Sequence, residues 1–140
     1  MGLLSLHATM AMVLSLVAIR GTGHVSPAGP MDRLLDAIAT VESRSDPAAL
    51  GDAGRAAGVY QIHRSYWADA IRILGVNWQY GEANNPQKAR EVVRAYLCHY
   101  GSGKTLLEMA RIHNGGPRGC EKASTLPYAR KIAQVLNDDL

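Results

Sequence analysis

The sequence predicts a predominantly helical α+β fold in which one small irregular lobe interrupts the helices. Three observations indicate this class. Several segments carry apolar residues at helical spacing, and Ser, Asp, Pro and Gly concentrate in one stretch, residues 43–60. The chain has 140 residues, of which 47% are hydrophobic and 19% are charged. This length and composition fit a single domain with one stable core.

The first 28 residues differ in composition from the rest. Residues 3–19 are largely apolar, and a stretch rich in Gly, Pro and Ser follows them. This order is typical of an export signal, although a basic residue is missing from its start. An uncleaved membrane anchor or a misassigned start explains the same pattern. We expect residues 1–28 to be a signal peptide with its following break, residues 29–140 to form the domain, and the processed protein to be secreted or periplasmic, without a stable membrane span.

The first helix is predicted over residues 31–42. Pro30 and Asp32 are typical of a helix start, and the apolar residues that follow lie at helical spacing: Leu34, Leu35, Ile38 and Val41. Residues 43–60 carry turn-forming residues instead, which indicates a loop with at most a short hairpin. This loop is the predicted irregular lobe.

The second and third helices follow this lobe. The second contains Trp67 and ends at Gly75. The third is the clearest element, because Asn85 can cap it, Pro86 fits its first turn and Gly101 ends it. Its apolar stripe makes it the expected centre of the core: Ala89, Val92, Val93, Tyr96, Leu97 and Tyr100.

Two more helices complete the domain. Thr105 and Glu108 match a capping box, so a fourth helix is predicted from there to the glycine-rich turn "HNGGPRGC", and a last helix begins near Pro127. The stretch "GSGKT", residues 101–105, is similar to a phosphate-binding loop, but Cys98 replaces the first glycine of that pattern and a helix precedes it instead of a strand. We interpret it as a turn between helices.

Charge and metal-ligand spacing exclude some functions. The net charge is +3, and Lys and Arg are scattered without a run longer than two. Nucleic-acid-binding domains cluster basic residues on one face, so nucleic acid is not expected as a partner. A mild positive charge suits attraction to an anionic polymer such as a bacterial cell wall. The histidines and cysteines lack the spacing of metal ligands, so we expect neither a metal nor a cofactor.

Two carboxyl residues are candidates for chemistry. Glu42 continues the apolar stripe of the first helix, so its carboxyl should lie at the edge of the core, where partial loss of water favours the protonated form that a general acid needs. Asp52, in "LGDAG", lies in a polar stretch that keeps a carboxylate charged. Two such groups on either side of a glycosidic bond can hydrolyse it. From the residues alone, a solvent-facing helix-end Glu and an Asp that favours turns explain the same positions.

A family resemblance favours the catalytic interpretation. The segment "VESRSDPAALGDAGRAAGVYQIHRSYWADA" resembles the lysozyme superfamily, in which a helix-terminal Glu-Ser precedes a glycine-bearing loop and a Gly-x-Tyr-Gln-Ile segment. "RIHNGGPRGC" and "SYWADA" resemble segments of the invertebrate-type, or destabilase, lysozymes. The similarity covers roughly residues 31–136, with its motifs in family order. It implies a lysozyme-like single domain with a small hairpin lobe.

The resemblance also implies an activity and site residues. It implies a peptidoglycan hydrolase, an N-acetylmuramidase that cleaves the β-1,4 bond between N-acetylmuramic acid and N-acetylglucosamine in the glycan strands. Glu42 matches the catalytic acid and Asp52 the second carboxylate. The residues expected to bind sugar match a substrate-facing strand and a cleft-side turn: Tyr60 and Gln61, then His113 and Asn114. We expect the protein to act as a monomer.

Departures from the family keep alternatives open. The family is cysteine-rich, whereas this chain has only Cys98 and Cys120, and Ala70 stands at a family cysteine position. In an exported protein these two cysteines could form a disulfide, and in a reducing compartment they would be thiols. Lytic transglycosylases share the Glu-Ser and Gln-Ile pattern and would need Glu42 alone. A non-catalytic wall-binding or assembly module would keep the fold without the reaction.

Overall fold

The computed structural model describes residues 28–138 as five α-helices, three short strands and several single turns of 3-10 helix. The helices are α1 (Pro30–Ser43), α2 (Arg64–Leu74), α3 (Pro86–Tyr100), α4 (Leu106–Gly115) and α5 (Leu126–Asp138), and the strands are β1 (Leu50–Gly51), β2 (Ala56–Ala57) and β3 (Ile62–His63). The predicted signal peptide lies outside the described residues, apart from its last residue. Within residues 28–138, no helix is long and apolar enough to cross a membrane. The predicted α+β class is confirmed.

Local signals in the sequence set the helix bounds. Asn85 Oδ1 accepts a hydrogen bond from the Lys88 amide at 3.0 Å and so caps α3. Thr105 and Glu108 form the predicted capping box at the start of α4. Gly75 ends α2 with a φ of 68°, a left-handed conformation that glycine adopts without strain. Residues 101–105 form the predicted turn between α3 and α4.

The core lies where α3 meets the other helices. Its residues Val92, Val93 and Leu97 are fully buried, as predicted from the apolar stripe. Helix α1 contributes another set of fully buried side chains: Leu34, Leu35 and Ile38. Because Ile38 is one helical turn before Glu42, its burial directs the following turn of α1 along the edge of the core.

The irregular lobe is a three-stranded antiparallel hairpin sheet, in the order β1-β2-β3. Leu50 pairs with Ala57 and Ala57 pairs with Ile62. The lobe is fastened to α1 by Ser43, whose Oγ donates a hydrogen bond to the Val59 carbonyl at 2.8 Å. Gly58 has a φ of 74°, and a Cβ there would lie 2.1 Å from the Ala83 carbonyl oxygen. The predicted loop with a short hairpin is therefore confirmed.

One sequence prediction is wrong in this region. Tyr60 and Gln61 do not lie on a strand, because residues 58–61 form the turn between β2 and β3 and Gln61 has a left-handed φ of 48°. The sequence left open whether the two cysteines form a disulfide or remain thiols, and in the structure Cys98 and Cys120 are both free. Cys98 is exposed on α3, whereas the Cys120 thiol is partly buried and donates to the Glu108 carbonyl at 3.3 Å.

Candidate active site

An open groove separates the hairpin lobe from the C-terminal end of α4. It has a volume of about 320 Å³. It brings together five of the six predicted site residues: Glu42, Asp52, Gln61, His113 and Asn114. The sixth, Tyr60, does not line this groove.

Glu42 reaches the groove from the last turn of α1. Its side chain is 20% exposed, so one part of the carboxyl group is within the protein and another part faces the groove. The neighbouring Ser43 holds the end of the helix to the lobe through its bond to Val59. Glu42 therefore has the half-buried position that the apolar stripe of α1 predicted.

His113 lies directly behind the Glu42 carboxylate. Its Nε2 atom is 3.6 Å from Glu42 Oε1, and its side chain is only 4% exposed. Its other ring nitrogen, Nδ1, is hydrogen-bonded with the Tyr66 hydroxyl at 3.2 Å. When Tyr66 donates to Nδ1, the ring proton is on Nε2 and faces the carboxylate. Because protein groups surround the ring, His113 is suited to orient Glu42.

Two tyrosines complete this cluster. Tyr66 stacks on Tyr96 with ring centroids 3.7 Å apart, and Tyr128 lies parallel to the His113 ring at 6.3 Å. Burial, and then the charge of Glu42, raises the pKa of Tyr128. Burial raises the pKa of Tyr66 well above its usual value, with smaller contributions from Tyr96 and Glu42. Both hydroxyls therefore keep their protons at neutral pH.

The Tyr128 hydroxyl is unusual in this cluster. It is buried and has no hydrogen-bond partner among the described residues. Buried polar groups are normally paired. The Tyr128 hydroxyl lies near the Glu42 carboxylate, so it can donate a hydrogen bond to that carboxylate or to a water beside it.

Asp52 faces the groove from the opposite side, at the turn between β1 and β2. Its side chain is 57% exposed, and its Oδ2 atom is 2.9 Å from Nε2 of His63, which is 47% exposed. Asp52 has a left-handed φ of 50°, a conformation that is strained for a residue with a side chain. Arg55 supports this turn by donating from Nε to the Asp52 carbonyl at 2.9 Å.

Gln61 and Asn114 line opposite walls of the same groove. The Gln61 side-chain nitrogen donates to the carbonyls of Ala49 at 3.1 Å and Gly58 at 2.9 Å, so this residue braces the lobe as well as lining the groove. Asn114 is exposed near the end of α4 and has its side-chain amide available to a ligand. The Gln61 amide is thus held by hydrogen bonds within the lobe, whereas the Asn114 amide is accessible from the groove.

Tyr60 belongs to a different part of the surface. It is 2% exposed, and its hydroxyl accepts a hydrogen bond from Arg90 Nη1 at 3.1 Å. Arg90 also pairs with Asp36 of α1 at 2.6 Å. The structure therefore assigns Tyr60 to the contact between the lobe, α1 and α3.

The sequence did not predict three residues of this site: His63 and Tyr66, which line the groove, and Tyr128, which lies beside His113 with its hydroxyl buried. His63 has no metal-like spacing in the sequence, and its contact with Asp52 forms only when the hairpin is folded. Tyr66 precedes Trp67 at the amphipathic start of α2, and this position is the sequence feature that could have identified it as a site residue. Among residues 28–138, no cluster of three or more His, Cys, Asp or Glu side chains could hold a metal ion.

Comparisons with known proteins show a family and several relatives that this chain resembles. A family model described as Destabilase matches residues 32–135. The lysozyme of Ostrea edulis is 44% identical over 75 residues, which are 51% of this chain and 53% of that protein. Lysozyme 1 of Crassostrea virginica is 40% identical over 79 residues, 54% of this chain and 42% of that protein. The chain thus spans about half the length of these curated relatives.

A solved structure has the same fold. A chain in the crystal structure of Aeromonas hydrophila PliI in complex with Meretrix lusoria lysozyme superposes with a TM-score of 0.63 and 31% identity. The superposition covers 76% of this chain and 93% of that chain. The likeness therefore extends beyond the short stretches that align most closely in sequence.

Proposed function

The chain belongs to the destabilase family, and from this membership and the groove geometry we propose that it is a peptidoglycan hydrolase of the lysozyme type. The proposed reaction cleaves the β-1,4 bond between N-acetylmuramic acid and N-acetylglucosamine. One observation supports it above all: a half-buried glutamate from α1 and an exposed aspartate from the hairpin lobe face the same open groove. Relatives that carry the name lysozyme support the same reaction class.

Glu42 is proposed as the general acid and then the general base. In the first step its carboxyl gives a proton to the glycosidic oxygen, so the leaving sugar departs as an alcohol. In the second step the carboxylate takes a proton from the incoming water. The Nε2 atom of His113 faces Oε1 and can hold the carboxylate in one orientation during both steps. Partial burial limits the access of bulk water to the acid.

Asp52 is proposed as the second carboxylate. It either attacks the anomeric carbon to form a glycosyl-enzyme or stabilises the positive charge that develops on the sugar ring. Its side chain is 57% exposed to water, and its Oδ2 atom contacts Nε2 of His63. The two carboxyl groups thus occupy different environments, as different roles require.

The walls of the groove are proposed to hold the sugars. Asn114 can donate or accept hydrogen bonds with acetamido and hydroxyl groups, and Gln61 fixes the wall opposite it. His113 contributes mainly by orienting Glu42, and Tyr60 supports the lobe from behind. We also propose that the protein acts as a monomer outside the cytoplasm after cleavage of a signal peptide that lies within residues 1–28, and the mass of the exported protein would test this cleavage.

The principal test uses purified peptidoglycan with the Glu42→Gln and Asp52→Asn variants. We expect Glu42→Gln to lower kcat at least about a hundredfold, the usual size of a lost general acid. Glu91→Gln, an exposed glutamate on α3, is the matched control and should be fully active. Binding of peptidoglycan without cleavage by the parent protein, unchanged in Glu42→Gln, would favour a non-catalytic wall-binding module.

Product analysis separates hydrolysis from transglycosylation. Hydrolysis leaves reducing ends that mass spectrometry identifies, whereas a lytic transglycosylase leaves 1,6-anhydro ends. We expect reducing ends and a large loss of kcat in Asp52→Asn. Anhydro products, with nearly normal turnover in Asp52→Asn, would assign the reaction to Glu42 alone.

A further inference from the structure

The groove continues beyond the two carboxylates into a wider arm. This arm has a volume of about 640 Å³ and shares four lining residues with the first part of the groove: His63, Tyr66, His113 and Asn114. It then runs between α2 and the turn after α4, where Pro117 forms one wall. A glycan strand that enters at Glu42 can therefore extend along the surface of α2.

A packed row of tyrosines supports this arm. The Tyr66 and Tyr96 ring centroids are 3.7 Å apart, and those of Tyr96 and Tyr100 are 4.7 Å apart. The Tyr100 hydroxyl donates a hydrogen bond to Asp69 Oδ2. This row connects the cluster around Glu42 to Asp69 on α2, and its members Tyr66 and Tyr96 line the arm, so packed rings form part of the arm's wall.

A guanidinium group lies at the far end of the arm. Arg72, in the last turn of α2, has a side chain that is 77% exposed, whereas its partner Asp69 is 20% exposed. Asp69 accepts from a single guanidinium nitrogen, Nη2, and within residues 28–138 the other nitrogens of Arg72 have no hydrogen-bond partner. Asp69 thus holds the side chain in place and leaves most of its five donors free.

We propose that this arm binds a carboxylate-bearing substituent of the glycan, with Arg72 as the group that binds the carboxylate. The planar fork of arginine matches two carboxylate oxygens, which makes this pairing specific. In peptidoglycan the carboxylate belongs to the stem peptide or, where the peptide has been removed, to the lactyl group of N-acetylmuramic acid. The inference deepens the proposed function and rests on it for the identity of the polymer.

Binding measurements on the Glu42→Gln protein test this site without cleavage of the ligand. Three soluble tetrasaccharides are compared by calorimetry: one with stem peptides, one from which an amidase has removed them, and chitotetraose, which has no carboxylate. Arg72→Gln should lower the affinity for a carboxylate-bearing ligand about fivefold, the size expected of an exposed charge pair. Its affinity for chitotetraose should be unchanged.

Arg118→Gln is the matched control. Its side chain is 81% exposed and, like that of Arg72, pairs with an acidic residue three positions away in the sequence, here Glu121, but it does not line the arm. It should leave all three affinities unchanged, although it removes the same charge. A loss with the peptide-bearing ligand alone identifies the stem peptide as the source, and a loss with the stripped ligand identifies the lactyl group.

Other outcomes would overturn the inference. These are an equal loss for chitotetraose, an unchanged affinity for every ligand in Arg72→Gln, or no binding of any of them. The proposed hydrolysis is judged separately, with Glu42 intact. Arg72-dependent binding by a protein that cleaves nothing would leave this site standing and remove the hydrolase assignment.

Discussion

The helical body, α1–α5, and the hairpin lobe, residues 50–63, hold the two carboxylates by different means. The body fixes Glu42 through a packed helix and a His113 ring that is 4% exposed. The lobe holds Asp52 on strands of two residues each, with left-handed backbone at Asp52, Ala53 and Gln61. A general acid is thus placed by the core, whereas its partner carboxylate depends on a few hydrogen bonds and on strained turns.

Because the two regions are held differently, changes in the body and changes in the lobe should affect different properties of the protein. A change in the body should weaken the whole fold, because its side chains share one core. A change in the lobe should alter the position of Asp52 while much of the helical packing persists. The following four variants test this separation, in order of decreasing effect.

The largest effect is expected from a cavity in the body. Ile38 is fully buried, so Ile38→Ala should lower the free energy of unfolding by about 2–5 kcal/mol. Leu50, in the lobe, is 70% exposed, and Leu50→Ala should change the free energy of unfolding by no more than about 0.5 kcal/mol. Urea unfolding followed by circular dichroism measures both. Equal losses would contradict the division between body and lobe.

A second variant places a methyl group between the lobe and the body. Gly58→Ala should cost about 1–3 kcal/mol, because its Cβ would lie 2.1 Å from the Ala83 carbonyl oxygen at a φ of 74°. Gly54→Ala is the control, since Gly54 also has a positive φ, of 83°, but nothing lies within 4 Å of its Cβ. That variant should cost only about 1 kcal/mol. Chemical denaturation compares them, and equal losses would contradict the steric explanation.

A third variant tests the orientation of Glu42 by the body. His113→Gln should lower kcat about tenfold with little change in KM, because a misplaced acid transfers its proton less effectively. It should also alter the pH profile of kcat, which a purely structural role would not do. His99 is an exposed histidine on α3, and His99→Gln should leave kcat and its pH profile unchanged. Unchanged kcat and pH profile in His113→Gln would refute the orienting role.

The smallest effect concerns the surface of the body. Hydrogen bonds from Arg94 and then Arg90 hold the pKa of Asp32 below its usual value of 3.8. This carboxylate therefore stabilises the fold above that pH, and the contribution is lost as the pH falls through the lower pKa of the folded state. Asp32→Asn should be slightly less stable than the parent at pH 7. Thermal unfolding should show a smaller difference in stability between the parent and Asp32→Asn at strongly acidic pH than at neutral pH. An equal difference at both pH values would contradict the stabilising role of the Asp32 carboxylate.

The sequence predicted those features that neighbouring residues determine. The Thr105 capping box, the Asn85 cap and the apolar stripe of α1 all act within one or two turns, so the helices and the half-buried Glu42 could be anticipated. The backbone of Gln61 could not, because hydrogen bonds from its side chain to Ala49 and Gly58 stabilise its turn.

Contacts between residues far apart in the sequence could not be predicted either. The contact between His63 and Asp52 requires the hairpin, and the orienting position of His113 depends on a burial that only the packed helices create. The state of Cys98 and Cys120 was also left open by the sequence, because it depends on how α3 and the turn after α4 are arranged in the fold.

The two free thiols have a practical consequence. Because both cysteines are thiols in it, this fold forms without an oxidant and without an isomerase to correct mispaired bridges. It can therefore be produced in a reducing host. Exposed Cys98 should react with a maleimide well before the partly buried Cys120, which gives the helical body one selective point for a fluorescent or spin label.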